Sequence, residues 1–122
     1  MQLKRKPITD AKKELKANLD TVARVYEWAE LMNYKKPKLF ARHFLRHWGK
    51  PPSAVMVIVK LKSIIAQLRN TDNSCFQIAR MHGMTDEKAL NNFVNRHLSC
   101  SPTRVKAVKV SKLDKLIRSI RK

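Results

Sequence analysis

The sequence predicts an all-α fold in which two similar helical units are joined by one long apolar helix. Three observations predict it. Apolar residues recur every three or four positions through most of the chain, and only 2 glycines occur in 122 residues. Prolines, glycines and capping residues stand where helices would start and stop. The chain on either side of residues 52–69 also repeats itself at a constant offset, with Ala29 matched by Ala79 and Arg46-His47 by Arg96-His97.

Bulk composition narrows the function classes. A chain of 122 residues makes one compact domain or two small lobes sharing a core. Its 27 Lys and Arg against 9 Asp and Glu leave a formal net charge of +18, which favours polyanions and, in a folded domain, nucleic acid above all. A basic membrane-surface protein would concentrate its charge on one amphipathic helix, whereas here Lys and Arg recur from Lys4 to Lys122. Met1–Lys6 runs into Pro7 and charged residues rather than an apolar stretch, and Lys60 and Lys62 interrupt the best membrane-span candidate. Two cysteines, Cys75 and Cys100, make no disulfide framework. A reducing cytoplasm, with the protein on the nucleoid and no membrane partner, is therefore expected.

Residues 1–9 read as a basic, mobile arm. The first unit, 10–51, opens with a helical pattern through Leu15, Leu19, Val22, Tyr26 and Ala29; Asn18 and Asp20 are placed to split it in two, with Asp20 as the second N-cap. Asn33-Tyr34-Lys35-Lys36 makes a polar turn. Pro37 suits the first position of the next helix, where its missing N–H costs nothing. That helix, to Trp48, points Phe40 and Phe44 inward and Lys38, Arg42 and Arg46 outward; Gly49 caps it and Pro51-Pro52 block its continuation.

Residues 52–69 pose a conflict. Val55, Val57, Ile58, Val59, Ile64 and Ile65 favour a strand by propensity. The segment lacks clean alternation, however, and a lone strand would leave its backbone groups unpaired, so a buried helix is predicted. The second unit, 70–108, follows. Ser74 and Gln77 form a capping box for a helix Cys75–His82 that stops at Gly83, and Met84-Thr85 turn the chain. A helix Asp86–Leu98 buries Ala89, Leu90, Phe93, Val94 and Leu98, and Ser101-Pro102 opens a short helical turn. Within the basic tail 109–122, a last helix Lys112–Arg121 is expected, with Ser111 as its cap and Leu113, Leu116, Ile117 and Ile120 on one face. Trp28, Trp48, Phe40, Phe44, Phe76 and Phe93, at helical spacing, are expected in the core.

Aligned without gaps, the halves also match Leu31 with Met81, Tyr34 with Met84, Phe40 with Leu90, Trp48 with Leu98 and Pro52-Ser53 with Pro102-Thr103. Each half is a short helix, a tight turn and a second helix with a polar, basic outer face. That is the helix-turn-helix plan, whose second helix enters the major groove. On Thr71-Asp72-x-Ser74, Ile78-Ala79, Gly83, Asp86 and Arg96-His97 before Ser101-Pro102, residues 22–106 resemble the DNA-binding domain of AraC/XylS-type transcription regulators. The resemblance implies two homeodomain-like helix-turn-helix subdomains on a long linker helix. It also implies promoter binding and contact with RNA polymerase. Departures are Ser99 where a Gly is usual, Leu90 and Val94 in place of commoner aromatics, and a linker poorer in Arg. The family's effector or dimerisation domain is not within the 122 residues, so the chain resembles the small stand-alone members or an excised domain.

Candidate site residues follow. On the first recognition helix Lys38, Ala41 and Arg42 face outward. Arg42 is the first choice for a base contact, since Arg bridges guanine O6 and N7; phosphate pairing or solvation is the alternative. On the second, the resemblance puts Glu87, Lys88, Asn91 and Asn92 on the groove side, where Asn suits adenine N6 and N7. Lys35, Lys36, Arg46, Asn95 and Arg96 are the expected phosphate contacts, and a polar face without base contacts is the alternative for the second helix. His43-x3-His47 and His97-x2-Cys100 lack the paired spacing of a structural zinc site, so no metal and no cofactor is expected. The acids are scattered singly, and no enzymatic site stands out. The expectation is sequence-specific binding of double-stranded DNA by a monomer, with dimerisation through the last helix left open. The alternative is a non-specific basic DNA-packaging or RNA-binding protein.

Overall fold

Residues 4–120 are described by the computed structural model, and all their regular structure is helical. A short 3-10 turn, Ile8–Asp10, precedes eight helices: α1 Ala11–Ala17, α2 Val25–Leu31, α3 Pro37–Trp48, α4 Pro52–Asn70, α5 Cys75–Met81, α6 Glu87–Leu98, α7 Pro102–Val105 and α8 Val110–Arg118.

The long helix α4 explains the rest. Its first half gives Val55, Met56 and Val59 to a core with Ala11, Leu15, Trp28, Phe40 and Phe44. Its second half gives Leu61, Ile64 and Leu68 to another core with Ile78, Leu90, Val94, Val105 and Leu113. At about 100° per residue these two triplets lie on nearly opposite sides of the helix. A helix that serves two cores on two sides is apolar almost all round, which is why its sequence showed neither a clean stripe nor a clean alternation. The strand favoured by β-branching does not form, because packing of both faces outweighs a propensity difference of about 1 kcal/mol.

The two units are copies at the level of the backbone. Helices α2 and α5, like α3 and α6, have equal lengths and stand 50 residues apart. Asn33 and Gly83 both adopt positive φ (65° and 73°), as do the helix-ending Gly49 and Ser99 (77° and 57°). The turns close identically: the Tyr34 N–H donates to Ala29 O and the Met84 N–H to Ala79 O, each at 2.9 Å. Pro52 and Pro102, both buried, open the helices that follow.

Several expectations need correction. Asp20 does not cap α2. The Thr21 and Val22 N–H groups turn back onto Asn18 O, and α2 starts only at Val25, where the Glu27 carboxylate accepts from the Ala23 and Arg24 N–H groups. Residues 4–9 are no free arm: the Lys6 N–H donates to Met32 O, the Asn33 amide donates to Lys4 O, Lys6 pairs with Glu14, and Arg5 sits 5.1 Å from the Tyr34 ring centre. The expected arm's residues 1–3 lie outside the described residues. Helix α8 begins at Val110 with Lys109 as its extended N-cap, so Ser111 is inside it; it ends at Arg118, and Arg121 lies outside the described residues. Just before α8 the Arg69 guanidinium donates to the Val105, Lys106 and Val108 carbonyls and holds the connection from α7. Tyr26 and Phe76 are not core residues. They occupy equivalent positions in the first turns of α2 and α5, 48% and 49% exposed.

Candidate nucleic-acid interface

Helix α3 is held from beneath by aromatic packing. The Trp28 ring meets Phe40 and Phe44 edge-on at 5.3 and 4.9 Å, and its indole N–H donates to Ala11 O. Such pairs each add about 0.5–1.5 kcal/mol beyond area burial, so the roll of α3 about its axis is fixed. With Phe40 and Phe44 inward, Lys38 and Arg42 are exposed on the opposite side, with Ala41 half-buried beside them and Leu45 49% exposed one turn on. Lys35 and Lys36 precede the helix and Arg46 follows on its last turn, all exposed. No acid lies between residues 31 and 71, so every charged side chain that α3 places on this face is basic. His43, flanking it, is engaged by the Tyr34 hydroxyl at 2.9 Å.

Helix α6 repeats the placement with different chemistry. Leu90, Val94 and Leu98 are buried, and the Asp86 carboxylate caps the helix by accepting from the Ala89 N–H at 2.9 Å. Glu87, Lys88, Asn91, Asn92, Asn95 and Arg96 are all exposed. They are not equivalent, because the Asn95 amide donates to both the carbonyl and the side-chain oxygen of Asn91. Asn91 keeps its NH2 donors, the Asn95 NH2 is spent within the helix, and the Asn92 side chain has no hydrogen bond among the described residues. Sequence spacing could not separate the three.

All twelve expected residues are thus brought to two outward faces of equivalent helices. The first is basic and the second amide-rich. Sequence reasoning missed His82. It is 1% exposed, with Nδ1 2.7 Å from Ile78 O and Nε2 2.8 Å from the Ser63 hydroxyl, and it ties the α5–α6 turn to α4. Burial, and next the Lys60 ammonium, press its pKa below the usual histidine value against the opposing pull of the Ile78 carbonyl. Lys60 was missed too: it is buried on α4, reaches Ala23 O at 3.4 Å, and burial lowers its pKa while Glu27 raises it. Among the described residues no three His, Cys, Asp or Glu side chains gather where a metal could sit, and no single helix is long and apolar enough to cross a membrane.

No protein-family model matches the sequence, and no curated protein matches it. Solved structures match the fold. The DNA-binding domain of AdpA, a global transcriptional factor crystallised with a target DNA, superposes with a TM-score of 0.70 at 20% identity, over 84% of this chain and 91% of that one. A transcriptional regulator with an AraC-type DNA-binding domain from Chromobacterium violaceum gives 0.66 at 20% identity, over 82% and 88%. The C-terminal domain of AraT, a response regulator from Geobacillus stearothermophilus, gives 0.72 at 15% identity, over 88% and 89%. The chain therefore has the AraC-type fold, two helix-turn-helix subdomains on a linker helix, as the resemblance implied.

Proposed function

We propose that this protein is a transcription regulator that binds double-stranded DNA sequence-specifically, laying α3 and α6 into two successive major grooves. One observation carries the reading. The same two-helix unit, with the same positive-φ turns, occurs twice, and a single uninterrupted helix joins the copies. Charge alone would not need two identically built units; reading two half-sites would. Lys38, Ala41 and Arg42 are the proposed base readers of α3. Glu87, Lys88, Asn91 and Asn92 are those of α6, where Glu87 suits the cytosine amino group and the amides suit adenine. Lys35, Lys36, Arg46 and Arg96 hold phosphates, and Asn95 does so when its NH2 turns from Asn91 to donate to a phosphate oxygen. The protein acts as a monomer in the cytoplasm on the nucleoid, RNA polymerase is a proposed partner, and no catalytic role is assigned.

The net charge of +18 supports a second reading, non-specific packaging of DNA or binding of RNA. Selection from a random duplex library at physiological salt separates the two. The first reading predicts a bipartite motif of roughly ten to twenty base pairs, its halves about one helical turn apart. Random recovered sequences, with affinity collapsing along a steep log–log salt slope, would establish the second instead.

A further inference from the structure

Away from both reading faces, four lysines converge on a groove that the interface does not use. Lys12 and Lys16 come from α1, Lys50 follows the cap of α3, and Lys62 comes from α4. The floor between them is apolar apart from Ser63: Trp48, Leu19, Val55, Ile58 and Val59. The Lys12 ammonium stands 4.2 Å from the Trp48 ring centre, and the Trp48 indole N–H is already satisfied by Ile8 O at 3.1 Å, which fixes the ring as one wall. No acid lines the groove. Glu14 of α1, paired with Lys6, is on another side, about 200° around the helix from Lys12 and Lys16. The groove holds about 590 Å³, within the range of sites that take small organic molecules.

Trp48 also separates this groove from the reading face of α3. It lies two to three turns beyond Lys38 and nearer the buried side, packed at 6.0 Å on Phe44.

We propose that this groove is a binding site for a small organic anion with an apolar body of about ring size. The lysines supply uncompensated positive charge to an anionic group, and Trp48, Ile58 and Val59 take the apolar part. Free of ligand, the cluster repels itself. Burial first, and then Lys16, Lys50 and Lys62, hold the Lys12 ammonium below the usual lysine range. An anion among them relieves that repulsion. The groove touches α1, the end of α3 and the middle of α4 together, so an occupant braces the first unit against the linker.

The test uses the full chain and the fluorescent probe 8-anilinonaphthalene-1-sulfonate, which joins an anionic group to an apolar ring system. Saturable binding is expected. The variant K12Q/K62Q should raise its Kd about tenfold, as the loss of two charge contacts demands, while K106Q/K109Q, equal in charge but distant, changes it less than about twofold. Ile58→Asn, on the half-buried floor, should weaken the probe with an unchanged circular dichroism spectrum. Equal weakening by the two double variants, or no saturation, would assign binding to net charge and overturn the proposal. Displacement by inorganic phosphate at concentrations equal to the probe would remove the apolar requirement and overturn it too. So would displacement by a stoichiometric DNA duplex, which would make the groove a backbone-phosphate contact; the proposal expects probe and duplex to bind together. Probe binding needs no DNA, so its failure and that of the regulator reading are separate results.

Discussion

Single side chains divide into those that face outward on a helix and those defined by what another element brings to them. Arg42 and Asn92 are of the first kind, exposed and with no side-chain hydrogen bond among the described residues. Arg42→Ala is expected to cost about 1–3 kcal/mol of binding and relax one half of the selected motif, and Asn92→Ala the other half, measured by competition against point-mutated duplexes. Uniform weakening on all sequences would make both phosphate contacts. His82 is of the second kind. Its folded pKa is depressed relative to the unfolded value of about 6.5, so its neutral form supports folding above that pH and the support is lost as pH falls below it. The urea midpoint should therefore drop between pH 7.5 and pH 5. His97, lowered by partial burial and then by Arg96, acts in the same direction. His82→Gln should flatten most of the slope and His97→Gln less. Helix periodicity was enough to find Arg42. It could not reveal His82 or the lysine groove, because both are assembled from segments distant in sequence.

Helix ends were largely legible, because caps are local chemistry. Ser74 with Gln77 forms both reciprocal bonds of its capping box, at 2.8 and 3.1 Å, and Pro37 and Gly49 bound α3 as expected. The misplaced start of α2 comes from two local caps in competition, Asn18 O winding the chain back before Glu27 caps the helix, whereas ahead of α8 stands a non-local tie, the Arg69 clamp. Ser99, where the first unit has Gly49, holds a left-handed conformation at φ 57°, which costs a non-glycine residue about 1–2 kcal/mol. Ser99→Gly is therefore predicted to stabilise by about 0.5–1 kcal/mol in chemical denaturation, the gain reduced by the greater freedom of unfolded glycine. Gly83→Ala should destabilise by more than Gly49→Ala: both have positive φ, but only at Gly83 would the new Cβ meet a backbone oxygen, Asp20 O at 3.2 Å. On α4, Lys60 spends burial on a charge whose bond to Ala23 O is long. Lys60→Met is predicted to raise stability by about 1 kcal/mol, since the freed carbonyl belongs to an exposed residue that water can reach.

At the scale of the whole molecule, α4 is shared between two cores. Three apolar side chains from each half bury in different units on nearly opposite sides, so rotation or bending of the helix would open one core or the other, at about 1.5–3 kcal/mol for each large side chain exposed. The Arg69 clamp and the His82–Ser63 bond add polar ties along the second half. The two-unit plan was legible because the repeat is written in residue types. The stiffness of the joint was not, because it depends on which side of α4 each unit occupies. That stiffness is the central claim, and the spacing of the selected half-motifs tests it most directly. Binding should be measured on duplexes in which the two halves are moved apart or together one base pair at a time. A rigid joint predicts one preferred spacing, with affinity falling about tenfold or more for a change of one or two base pairs. Equal affinity across several spacings would contradict it and make α4 a tether.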